Sequence, residues 1–61
     1  MTRNQIKYEV KMYYGKELKL HTWHTTEFSK DIEVAAAKER IKKKQLTHLE
    51  VISFGKTERI F

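Results

Sequence analysis

The chain contains no cysteine, no proline, only two glycines, and no purely apolar run longer than Val34–Ala37. Without cysteine there is neither a disulfide staple nor a thiolate zinc site, so a hydrophobic core and any oligomer contact must supply the stability. A reducing, cytoplasmic setting is expected. A four-residue apolar run is far too short to span a bilayer. The opening segment MTRNQIKYEV also lacks the apolar stretch of a signal peptide, so the expectation is a soluble protein with no membrane partner. With no proline and no Ser/Gly-rich linker, residues 1–61 read as a single domain. Gly15 and Gly55 stand alone where turns are expected, which excludes a glycine-rich phosphate loop. A domain of 61 residues buries only about 60% of the surface of its unfolded chain, which leaves little room for a deep catalytic cleft.

What is present alternates. From Gln5 to Tyr14, the apolar residues Ile6, Tyr8, Val10, Met12 and Tyr14 are interleaved with Lys7, Glu9 and Lys11, the period of a half-buried strand. Glu17 to Thr25 continues at strand-like density after a Gly15-Lys16 turn. The segment SKDIEVAAAKERIKKKQL then reads as a helix, with Ser29 as N-cap, Asp31 and Glu33 in its first turn and lysines at its end. Val34, Ala37 and Ile41 form its narrow core stripe. THLEVISF reads as a third strand, and a Gly55-Lys56 turn returns a fourth, pairing Phe54 with Thr57, Ile52 with Arg59 and Val51 with Ile60. The expected fold is a two-layer ββαββ α+β domain, a small sheet with one helix on one face. Its predicted core is Val10, Met12, Val34, Ala37, Ile41, Leu49, Val51 and Ile60.

One helix covers one face only, so the first hairpin's register decides what the other face shows. A two-residue Gly15-Lys16 loop with a regular ladder pairs Met12 with Lys19, Val10 with His21 and Tyr8 with Trp23. Trp23 then joins the core, and this arrangement is the expected one because short Gly-X loops are the commonest. A longer loop or a bulge in the second strand instead brings Leu18 and Leu20 in beside Met12 and Tyr14. Lys19, His21 and Trp23 then turn outward beside Lys7, Lys11 and Tyr13, a basic-aromatic platform of the kind that stacks bases. Ile52 and Phe54 face away from Val51 in either case. With Tyr13 they form the expected interface, of a homodimer through the uncovered sheet face or of a partner protein.

The chain carries a formal charge of +5, from 13 Lys and Arg against 8 Asp and Glu. The excess lies in Met1–Tyr14, with Arg3, Lys7 and Lys11 against Glu9, and in Ser29–Leu46, with six cations against three acids. Such an excess favours a polyanionic partner. The densest cluster is Lys38, Arg40, Lys42, Lys43 and Lys44. A helix C-terminus is stabilised by one or two cations. Five place like charges at i, i+4, each pair costing about 0.2–0.5 kcal/mol, offset only where Glu39 reaches Lys43. These five with Lys7 and Lys11 are the candidate nucleic-acid-binding residues. His21 and His24 are three apart in a strand and point to opposite faces, and His48 is isolated, so no metal site and no cofactor is expected. Ser29 and Ser53 are explained as a cap and a strand residue, His24 and Glu27 lack an enclosing pocket, and no catalytic residue is assigned. The reading is a small non-enzymatic regulator that binds nucleic acid, with a protein-interaction module or inhibitor as the alternative. In architecture and size alone the pattern looks like many small phage or mobile-element proteins.

Overall fold

A computed structural model describes residues 6–61; Arg3, and Gln5 at the expected start of the first strand, lie outside them. The chain runs β1 (Tyr8–Tyr14), β2 (Glu17–His24), α1 (Glu27–Lys42), β3 (His48–Ser53) and β4 (Lys56–Ile60). The strands form one antiparallel sheet in the order β2-β1-β3-β4, which gives the ββαββ α+β architecture expected from the sequence. Because β2 and β3 both pair antiparallel with β1, they run parallel to each other, and α1 is the crossover that such strands require. The helix lies over β1 and β2 and leaves the inner side of β4 uncovered.

Val10, Met12, Ala37, Leu46, Leu49 and Val51 are buried together, with Val34, Ile41 and Ile60 packed against them. All eight predicted core residues belong to this cluster. Leu46 is an addition, and the end of the helix explains it. The helix stops at Lys42, four residues before the expected end. Lys44 N–H donates to the Ile41 carbonyl at 2.9 Å and Gln45 N–H to that of Arg40 at 2.8 Å. Lys44 sits at φ 64°. These are the paired bonds and left-handed residue of a Schellman stop. It reverses the chain and drops Leu46 into the core. At the other end, Thr26 is the cap: its Oγ1 accepts from Ser29 N–H at 3.1 Å. Ser29, expected as the cap, is the third helical residue: Thr26 has the extended backbone of an N-cap, and the Ser29 hydroxyl instead bonds His24 Nδ1 at 2.8 Å.

Both hairpins correct the expected pairing. The β1–β2 loop keeps two residues, with Tyr14 opposite Glu17, yet the ladder shifts between Met12 and Tyr13. Tyr13 pairs with Leu18 and Met12 with Leu20, so Lys19 is the extra residue of a bulge. Short loop and bulge therefore coexist. Beyond the bulge every side chain of β2 changes face, so Trp23 pairs with Glu9 and stands 53% exposed instead of entering the core. Leu20 turns to the face of Met12, while Leu18 stays with Tyr13 on the other. In the second hairpin the loop is Phe54-Gly55, with Ser53 opposite Lys56, Ile52 opposite Thr57, Val51 opposite Glu58 and Leu49 opposite Ile60. Phe54 at φ 51° and Gly55 at φ 80° both occupy the left-handed region, the requirement of a type I′ turn. A Gly55-Lys56 loop would have placed the glycine first, the type II′ order, whereas here it is second.

Candidate functional site

Two surfaces gather the chemistry-bearing residues. The first is one end of the molecule. Gly15 N–H donates to Thr47 Oγ1 at 2.8 Å and Thr47 N–H to the Tyr13 carbonyl at 2.8 Å, which ties the β1–β2 turn to the segment following the helix. Lys16, Lys42, Lys43 and Lys44 thereby share this end, and Lys38 stands one turn up the helix; all five are exposed. The ion pairs among the described residues are Lys19–Glu17, His21–Glu9 and Lys30–Asp31. None engages the lysine cluster, and the expected Glu39–Lys43 pair is not formed. Opposite charges gather at the other end: Glu27 and Asp31 lie in the first turns of α1, and Lys30 is held by Asp31 and sits over the Tyr8 ring, 5.5 Å from its centroid. The hydrogen bond to Asp31 raises the Lys30 pKa above its ordinary value.

The seven predicted cationic residues do not converge. Lys38, Lys42, Lys43 and Lys44 remain together. Arg40 is half-buried and turns inward, its Nη1 3.2 Å from Met12 Sδ, so its guanidinium covers the core instead of facing solvent with the lysines. Lys11 lies half-buried on the sheet face opposite the helix, and Lys7 lies at the far end, where its N–H bonds the His24 carbonyl at 3.1 Å.

The second surface is that opposite sheet face. The ladders align it in three rows: Trp23–Glu9–Ile52–Thr57, His21–Lys11–Glu50–Arg59, and Leu18–Tyr13–His48. Glu9 Oε1 accepts from Trp23 Nε1 at 3.1 Å and lies 3.1 Å from His21 Nε2, while the His21 and Trp23 rings stand 4.1 Å apart. Tyr13 stacks on His48 with centroids 4.9 Å apart. Partial loss of hydration, with the Glu50 carboxylate adding in the same direction, raises the Tyr13 phenol above its ordinary pKa. Of the predicted interface residues, Tyr13 and Ile52 are on this face. Phe54 is not: it occupies the turn, 77% exposed, with its ring edge-on to Tyr8 at 6.0 Å. It helps line a concavity of about 370 Å³ with Ile6, Lys7, Tyr8 and Ile52.

Several residues stood outside the site expected from the sequence. His48 and Glu50 complete the rows, and the alternation of β3 with β1 was the available signal. Phe28 and Ile32 project from the outer side of α1, exposed by 76% and 56%. The i, i+4 spacing shows them only once the helix is started at Thr26. His24 turns to the helix side, away from His21, and bridges Ser29 Oγ and Thr22 Oγ1 at 2.8 Å each, which fastens the end of β2 to the first turn of α1. Among the described residues, no helix is long and apolar enough to cross a membrane. Comparison with protein-family models, with curated proteins and with solved structures finds no match to this chain.

Proposed function

We propose that the protein is a small non-enzymatic regulator that binds nucleic acid through phosphate contacts from its lysine end. The observation that supports this reading best is Lys44. The Schellman stop places it in left-handed backbone, where glycine fits and an L-residue costs about 1–2 kcal/mol. Its ammonium has no carboxylate partner among the described residues to offset that cost. The helix macrodipole returns only about 0.3–1 kcal/mol to a cation there, so a charge kept at such a position beside four other lysines that no ion pair among the described residues engages supports a contact outside the fold. Lys38, Lys42, Lys43, Lys44 and Lys16 form an exposed set of ammonium groups. Such a set neutralises phosphates without reading base edges, so affinity is electrostatic and only weakly dependent on sequence.

Fluorescence anisotropy with labelled single-stranded and duplex oligonucleotides, over a salt series, tests this. Binding should be strongest at about 50 mM salt and fall steeply, each neutralised duplex phosphate contributing about −0.9 to the slope of log affinity against log salt. The variant K42Q/K43Q/K44Q should keep its fold and flatten that slope by up to about three units. R40Q should instead lower stability and leave the slope unchanged, because Arg40 packs on Met12. An unchanged slope in the triple variant, or no binding at low salt, would give the function to a protein partner.

A further inference from the structure

We infer that the sheet face opposite the helix is the interface of a homodimer, formed by stacking the faces of two copies about a two-fold axis parallel to the strands and midway between β1 and β3. The first observation is the charge of this face. The chain carries +5 in all, yet the ladder-paired positions of the face hold Lys11 and Arg59 against Glu9 and Glu50, two cations and two carboxylates. On a strongly basic molecule the ladder-paired positions of this face, with Lys7 at its margin, add no net charge to the repulsion between two copies. The second observation is the order of the charges. Rotation about that axis keeps each row in place and reverses its strands, so β1 of one copy lies over β3 of the other and β2 over β4. Lys11 then faces Glu50 of the second copy and Glu50 faces its Lys11, an isologous, reciprocal pair. Within one copy Lys11 and Glu50 are cross-strand neighbours, but they form no ion pair among the described residues. Lys11 has no carboxylate partner among the described residues, and Glu50 lies against only the Tyr13 phenol, so the pair can form across the interface.

The third observation is the apolar content. Leu18 and Trp23 are 45% and 53% exposed, and with Tyr13 and Ile52 they give the face large side chains that a charged surface lacks. Glu9 Oε1 already accepts from Trp23 and lies against His21 Nε2, which offsets part of the cost of covering this carboxylate. Four strands spaced about 4.8 Å apart make a small patch, well below the ~800 Å² per partner of a standard interface. The dimer is therefore weak, and its measurement extends to millimolar protein.

The test is sedimentation equilibrium of the wild-type chain, of K11E, of E50K and of their equimolar mixture, with folding checked by circular dichroism. Wild type should show a concentration-dependent doubling of mass. Each reversal alone sets like charges face to face and should weaken self-association tenfold or more. In the mixture the two altered chains complement each other across the interface, and a heterodimer at least as tight as the wild-type dimer should form. This recovery separates the interface from the cross-strand contact inside one copy, which mixing does not repair. Folded single variants whose mixture fails to associate, or a wild-type chain that stays monomeric at millimolar concentration, would overturn the proposal. So would quenching of Trp23 fluorescence by a single-stranded oligonucleotide on a chain that remains monomeric, which would assign the face to nucleic acid. The inference stands apart from the lysine end, since neither reversal touches Lys38 or Lys42–Lys44.

Discussion

Single positions in this protein show where local preference and the residue present disagree. Lys44 and Phe54 both occupy left-handed backbone, at φ 64° and 51°, and neither residue type is the one such backbone favours. Composition contains no trace of either conflict, because positive φ belongs to the turn and not to the residue. For Phe54 the conflict coincides with an exposed ring against Tyr8. For Lys44 it coincides with the charge cluster, and this coincidence separates two explanations. If the lysine is present for stability, K44G destabilises. If it is present for phosphate contact, K44G stabilises by about 0.5–1 kcal/mol, left-handed strain being relieved at some cost in unfolded-chain entropy, while the salt slope of nucleic-acid binding loses about one unit. We expect the second outcome, read from thermal unfolding and anisotropy on the same variant. Arg40 marks the opposite limit of reading charge from sequence. It belongs to the run KERIKKK, but its place on the helix turns it toward Met12, and only the three-dimensional stripe distinguishes it from its neighbours.

At the scale of elements, hydrophobic alternation and the Val34/Ala37/Ile41 stripe were enough to order the strands and helix and to name the core, because each buried residue reports its own face. Boundaries and registers were less legible for a physical reason. Thr26 and Ser29 are both good caps, and only the fold shows that the Ser29 hydroxyl is taken by His24, leaving Thr26 to cap. The Phe54-Gly55 turn displaces the expected loop by one residue, yet Leu49, Val51 and Ile60 share a face under either pairing, so the hydrophobic pattern did not discriminate. The bulge at Lys19 is the most consequential case, because one unpaired residue sends Trp23 from the core to the surface. It also makes a sharp expectation. Deleting Lys19 leaves every observed pair intact, from Tyr14–Glu17 to Tyr8–His24, and only straightens the strand. The deletion variant should therefore fold with stability within about 1 kcal/mol of the parent and with the same solvent-exposed Trp23 emission. A blue-shifted, buried tryptophan would mean that the bulge follows the preference of Trp23 and does not set it.

The whole molecule separates its two surfaces by charge. The excess cations lie at the end where Gly15 meets Thr47, and the sheet face that carries Trp23 and Tyr13 is close to neutral. The proposed two-fold runs parallel to the strands, so it leaves both lysine ends of a dimer pointing the same way, on helices at the two outer sides of the stacked sheets. One polyanion then meets two clusters at once, and the second contact is made at high effective concentration. Salt distinguishes the two associations by sign. Monomers of charge +5 repel one another, and that long-range repulsion fades as the Debye length falls from about 30 Å at 0.01 M to about 8 Å at 0.15 M. The enclosed Lys11–Glu50 pairs are screened far less. Self-association should thus hold or tighten as salt rises over that range, while nucleic-acid binding weakens steeply because phosphate neutralisation is driven by counterion release. Sedimentation and anisotropy carried out in the same buffers measure both. If the dimer weakens in parallel with nucleic-acid binding, cations of the lysine end take part in self-association, and the division between a neutral face and a charged end is wrong.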